Sequence, residues 1–177
     1  MTTKLNEKKP KNDFINKTRQ RIEARELILK FYNEVYLPTL LKFDGKVYNK
    51  RFITALRDKC KEYHELMHVT EKTYDHIEIQ LRTDRWNYND YESMYVKCET
   101  EYVDGNNRIS YEKTVNDQFH KAWVENFAKY NGEYEDAIAN YDKYMETVKA
   151  LEKALQAYSE LPHAFRANID TDYARIY

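Results

Sequence analysis

The chain has 177 residues, with 29 basic against 30 acidic side chains and only three glycines, three prolines and two cysteines. So little glycine and proline excludes a loop-rich sandwich and a disordered chain, and the length permits a packed core without disulfide or metal staples. Aromatic residues make up 15% of the sequence, most of them tyrosines, whose rings bury area while their hydroxyls stay at a wet boundary.

Charge is unevenly spread. Residues Met1 to Arg25 hold eight basic and three acidic side chains, a net of +5, and residues Asn131 to Glu160 hold three basic and seven acidic, a net of −4. The amino-terminal arm, with Lys8, Lys9, Lys11, Lys17, Arg19, Arg21 and Arg25, offers a route to phosphates, although its cations are spread over several helical faces. Cys60 and Cys98 fall at apolar positions, the pattern of packed thiols in a reducing compartment. The start lacks the apolar core of a signal peptide and no run of 18 apolar residues occurs. The expectation is a soluble, cytoplasmic protein with no membrane partner.

In chain order, residues 1–12 are polar and basic and read as a flexible tail, and residues 13–177 read as one domain. Asp13 caps a helix running to about Leu37, with Ile15, Ile22, Leu29, Tyr32 and Tyr36 on one stripe, until Pro38 kinks or ends it. Asp44-Gly45 marks a turn and Lys46 to Tyr48 a short extended piece. Asn49 then caps a second helix through about Val69, with Phe52, Leu56, Cys60, Tyr63 and Met67 on one face.

Period-two alternation follows. Ile77, Ile79 and Leu81 alternate with polar residues over Asp75 to Arg82, and Met94, Val96 and Cys98 do so over Met94 to Tyr102. Asp104 to Asn107 is a turn signal, and Arg108 to Tyr111 is a candidate third strand. The last third is helical. Thr114 to Tyr130 forms one helix, and Asn131-Gly132 either stops it or is a weak point in a longer one. Glu133 to Leu161 forms a long helix with an apolar stripe from Ile138 to Tyr158, suited to pairing with the first helix or with its own copy in a homodimer. After Pro162, the tail residues Phe165, Ile169, Tyr173 and Ile176 are apolar enough to dock back. The fold class is α+β and mostly helical: two N-terminal helices, a small antiparallel sheet of two or three strands, then two C-terminal helices, one of them long. With neither parallel strands nor a glycine-rich phosphate loop, no nucleotide crevice of the doubly wound kind is expected.

One motif names a chemistry. His64-Glu65-Leu66-Met67-His68 spells H-E-x-x-H, which on a helix sets two imidazoles on one face to grip zinc beside a glutamate base. Over these five residues the chain resembles the zincin metallopeptidases. That resemblance implies His64 and His68 as zinc ligands, Glu65 as the base, and a third ligand among His76, Glu92 and Glu99. Against it, Lys61 and Glu62 put charge beside the motif, and Lys61 stands one turn before Glu65 as a surface partner. The helix also precedes the sheet, the reverse of the zincin order. The preferred reading therefore has no metal, no cofactor and no catalytic residue.

The connection between the two strands looks like a recognition surface. Asp84, Trp86, Tyr88, Asp90, Tyr91 and Glu92 set three aromatics among acids at a hairpin tip, and tryptophan and tyrosine bury large areas at low entropy cost. From Asp84 to Asp104 there are six acids and two bases, a balance suited to a basic partner such as a nucleic-acid-binding enzyme. In size, tyrosine and asparagine richness, and this acidic aromatic stretch, the chain resembles small phage or mobile-element accessory proteins of the anti-CRISPR and anti-defence type. The resemblance implies a non-catalytic protein-binding inhibitor acting on a nucleic-acid enzyme such as a CRISPR effector. Two alternatives stand beside it: a zinc metallopeptidase using residues 64–68, and a nucleic-acid-binding module using the basic N-terminal arm.

Overall fold

The structure, a computed structural model, describes residues 3–73 and 76–174. Helices flank a small antiparallel sheet, an α+β architecture. The chain divides into two compact units, one ending at Asp136 and the other beginning at Ala137, where the sequence alone suggests one domain over 13–177.

Helix α1 spans Thr3–Phe31, so the segment expected to be a flexible tail is helical from Thr3 onward. Lysine, leucine and glutamate there are good helix formers, and Pro10 is carried inside the helix. A π-helical turn over Tyr32–Tyr36 links α1 to α2 (Leu37–Lys42). Pro38 has no N–H to return to the preceding turn, and the wider turn takes up the mismatch, with the Leu37 N–H bonding the Tyr32 carbonyl five residues back. Pro38 therefore does not end the helix.

Helix α3 spans Lys50–Tyr63, and the Asn49 side chain accepts from the Arg51 N–H at 2.9 Å as its cap. It stops six residues short of the expected Val69. The remainder becomes strand β1 (Met67–Thr73), which joins β2 (His76–Arg82) and β3 (Tyr91–Lys97) in the order β1-β2-β3. Met67 pairs with Leu81 and Val69 with Ile79, so both enter the same apolar face. Ladder hydrogen bonds and burial of two more apolar side chains outweigh continuing a helix. The sequence-predicted start of β2 at Asp75 lies outside the described residues.

The expected second strand, Met94 to Tyr102, is two strands broken at Cys98-Glu99. Strand β4 (Thr100–Val103) pairs with β5 (Asn106–Ile109) across Asp104-Gly105, whose φ values of 52° and 79° fit a tight two-residue hairpin turn. The extended piece at Lys46 to Tyr48 pairs with β5, and the Ile109 N–H donates to the Lys46 carbonyl at 2.9 Å. Helix α4 (Tyr111–Asn116) begins where the third strand was expected to end, capped by the Ser110 hydroxyl. Helix α5 (Gln118–Ala139) runs through Gly132, which lies in open space and does not end it. The break comes at Asn140, so the expected long helix is divided, and α6 (Tyr141–Ser159) and α7 (His163–Ala174) follow. On α6, Tyr144, Val148, Leu151 and Leu155 are exposed, as is Phe165 on α7. The expected docking of Ile169, Tyr173 and Ile176 lies outside the described side chains. No helix among the described residues is long and apolar enough to cross a membrane.

The core of the first unit lies between α1, α3 and one face of the sheet. Ile28, Phe31, Tyr36 and Leu40 meet Phe52, Leu56 and Cys60 and the sheet residues Met67, Ile77, Ile79, Met94 and Val96. One member of that sheet face is charged. Glu92 is paired with Leu81 and in phase with Met94 and Val96, so the pleat aims its carboxylate inward, 6% exposed. Helix α1 answers with two arginines one turn apart. Arg25, itself 5% exposed, donates to Glu92 at 3.1 Å, and Arg21 donates to Glu92 at 2.7 Å and to Asp90 at 2.6 Å. Arg25 also donates to Asn131 and the Phe127 carbonyl, and its guanidinium lies 3.7 Å from the Phe127 ring centre. The hydrogen bond to Glu92 is the main reason that the Arg21 pKa is raised.

Removing one partner of such a cluster strands the other's charge. Glu92→Ala is expected to lower stability in urea unfolding by about 3–5 kcal/mol, whereas Glu65→Ala, breaking the exposed Arg85–Glu65 pair, is expected to change it very little.

A second buried polar pair ties α5 to the same core. His120, 1% exposed, bonds the Tyr32 hydroxyl through Nε2 and accepts from the Lys97 N–H through Nδ1. Burial lowers its pKa below the ordinary value, outweighing the opposing pull of Asp117 and Glu99. Below about pH 6.5 the unfolded chain takes up this proton before the folded chain does, so stability falls as the pH drops. A nuclear magnetic resonance titration is expected to show His120 still neutral at its ordinary midpoint; protonation at or above that value would contradict the assignment.

Candidate functional site

The loop from Thr83 to Asp90 closes the β2–β3 hairpin, and its own side chains shape it. Both the Thr83 N–H and hydroxyl donate to the Asp90 carbonyl, at 2.9 and 3.0 Å, and close the neck. The Asp84 carboxylate accepts from the Trp86 N–H at 2.8 Å, and the Asn87 side chain from the Asn89 N–H at 3.1 Å. These are the local bonds by which aspartate and asparagine make turns. Arg21 reaches across from α1 to hold Asp90, so the loop is braced from inside and from below. The result lifts two rings into solvent: Trp86 is 86% exposed and Tyr88 74%.

The six residues expected as partner contacts therefore divide. Trp86 and Tyr88 stand at the tip, and Tyr91 is partly exposed on the first residue of β3. Asp84 is used as a turn former. Asp90 and Glu92 face Arg21 and Arg25, so they hold the loop rather than present charge. The acidic balance of the 84–104 stretch is largely neutralised within the fold, because Glu99 pairs with Lys97 and Glu101 with Lys113. The phase of Glu92 with Met94 and Val96 is the sequence signal that marks it as inward-facing.

Cations stand on one side of the loop. Arg82 lies with its guanidinium 4.7 Å from the Tyr88 ring centre, and Arg85 pairs with Glu65. Arg57 and Lys61 of α3 come round the edge strand β1 and, with His68, Thr70, Gln80, Arg82 and Tyr88, line a cavity of about 440 Å³. Arg57 also covers an edge carbonyl, donating through Nε to Val69 at 3.3 Å. A separate concavity of about 580 Å³ is lined by Arg25, His76, Tyr95, Trp123, Phe127 and Tyr130.

The H-E-x-x-H residues do not share a helical face. Helix α3 ends at Tyr63; His64 has the extended backbone φ −160°, ψ 132°, and its Nδ1 accepts from the Leu66 N–H at 3.1 Å. His68 sits on β1 opposite Gln80, and its Nε2 accepts from Arg82 at 3.1 Å. His76 is four residues along β2 from Gln80, about 13 Å away at the strand rise, and its ring packs on Trp123 at 5.1 Å. Glu65 is held by Arg85, and Glu92, another proposed third ligand, is buried with its arginines. Burial, Arg82 and Lys61 together lower the His68 pKa. Among the described residues no three His, Cys, Asp or Glu side chains gather to hold a metal ion.

Comparison with protein-family models, curated proteins and solved structures finds no match to this chain.

The divided motif carries an expectation for metal content. Zinc analysis of the purified chain and of His64→Ala/His68→Ala should give the same sub-stoichiometric value, and a chelator should leave the thermal midpoint of both unchanged. One zinc per chain in the parent and none in the variant would contradict this geometry.

Proposed function

We propose that the chain is a non-catalytic binding protein that docks a protein partner through Trp86 and Tyr88. The observation that carries this reading is the near-complete exposure of Trp86 on a loop held by its own turn bonds and by Arg21. Large aromatic rings are usually buried, and a braced loop loses little entropy when they become so at an interface.

The specific form we propose is an inhibitor of a nucleic-acid enzyme such as a CRISPR effector, the activity that the likeness to small anti-defence proteins implies. Its contact would rest on ring burial. Mimicry of a polyanion is a weaker basis, since four of the six acids between Asp84 and Asp104 are paired with cations of the same chain. The peptidase reading lacks the helix on which its motif depends. The N-terminal arm as a nucleic-acid contact gives up Arg21 and Arg25 to the sheet.

The test is affinity capture from the native host with the tagged chain, followed by binding of the identified partner to purified variants. Trp86→Ala/Tyr88→Ala is expected to keep its circular dichroism and unfolding midpoint while losing affinity roughly thirtyfold or more, the effect of deleting an aromatic anchor. A folded double variant that binds the same partner unchanged would refute the docking assignment.

A further inference from the structure

The cavity beside the tip has a charge pattern that the docking reading does not use. Arg57 and Lys61 are one helical turn apart on α3, where like charges repel, and Arg82 faces the same cavity from β2. No carboxylate lines it. Lys61 makes no ion pair or hydrogen bond among the described residues, and Arg57 gives only its Nε, to a backbone carbonyl. Arg82 donates one nitrogen to His68, a neutral acceptor in that bond, and so keeps its full charge at the cavity. Asp58 and Glu62, the nearest acids in sequence, lie on α3 but do not line the cavity, and Glu65 is drawn off by Arg85. Three cations thus converge without a counter-charge, with Thr70 and Gln80 adding neutral hydrogen-bonding groups.

An anion would relieve this repulsion. Forked guanidiniums match the oxygens of a phosphate in pairs, and an ammonium adds a third, freely rotating set of donors. The volume of about 440 Å³ lies within the range of small-molecule sites. One wall is aromatic: Tyr88, braced on Arg82 and largely exposed, offers a face on which a planar base can stack.

We propose that this cavity binds the phosphate of a nucleotide, free or within a single-stranded nucleic acid, through Arg57, Lys61 and Arg82, with the base against Tyr88. The site stands on the α3 and β2 cations and is independent of whether Trp86 docks a protein.

Calorimetric titration of the full chain with adenosine monophosphate, inorganic phosphate, adenosine and a short oligodeoxythymidylate tests it. Adenosine monophosphate should bind saturably and be displaced by phosphate, while adenosine alone should bind far more weakly. Lys61→Gln and Arg82→Gln should each weaken it by roughly tenfold or more, the loss of one charged hydrogen bond. Lys113→Gln, a cation paired with Glu101 on another part of the fold, should leave it unchanged. Tyr88→Leu should weaken the nucleotide but not phosphate. An oligonucleotide that binds much more tightly than the mononucleotide, with the same sensitivity to Lys61 and Arg82, assigns the phosphate to a strand; equal affinity assigns it to the free nucleotide. Absence of saturable binding by both, or equal weakening by Lys113→Gln, would overturn the site. Adenosine monophosphate binding no tighter than phosphate, and indifferent to Tyr88→Leu, would overturn the stacking wall.

Discussion

The first unit depends on the carboxylate buried in the core face of its sheet. Glu92 occupies an inward position of β3 where its neighbours in phase are Met94 and Val96, and a bare charge there would cost several kcal/mol. Arg25 and Arg21 supply the compensation, and in doing so fix α1 against β3 in one register. Arg21 has a second bond, to Asp90, which carries the constraint from the sheet into the base of the tip loop. The same ion cluster therefore settles both how the long helix lies on the sheet and where the loop above it begins.

This arrangement changes what the acidic stretch means. Read along the chain, Asp84 to Glu92 looks like charge presented to a basic partner. In the fold, its acids serve the chain: Asp84 shapes the turn, and Asp90 and Glu92 bind the helix. What remains outside is chiefly aromatic, Trp86 and Tyr88, with Arg82 against the Tyr88 ring and Asp84 tied to the Trp86 N–H. Arg82 connects the two proposed surfaces, since it supports the Tyr88 ring from one side and lines the cavity beneath. A partner at the tip and an anion in the cavity would share that tyrosine.

Much of the fold was legible in the sequence where a period was clean. The alternation of Ile77, Ile79 and Leu81 located β2, Asn49 marked the start of α3, and Asp104-Gly105 marked a hairpin. The failures have physical causes. Met67 continues the helical stripe of Phe52, Leu56, Cys60 and Tyr63 and equally begins the alternation Met67, Val69; only a strand partner, Ile79 and Leu81, decides between them. That ambiguity is also what made five letters look like a zinc helix. Gly132 carried the stronger stop signal, yet a single glycine costs a helix only about 1 kcal/mol, and the break fell at Asn140. For the site, the exposed rings could be anticipated from a loop rich in turn formers. The cavity could not, because Arg57 and Lys61 meet Arg82 and His68 only after β1 has formed.

The claim at the centre of this account is that Arg21 braces a rigid tip, and amide hydrogen exchange at Thr83 and Asp90 tests it most directly. Their N–H groups bond the Asp90 and Asn87 carbonyls at 2.9 and 3.1 Å. Both are expected to exchange as slowly as the neighbouring β2 and β3 amides, and Arg21→Gln is expected to release them while the rest of the sheet stays protected. Exchange of both amides at free-loop rates in the parent protein, or protection indifferent to Arg21→Gln, would contradict it.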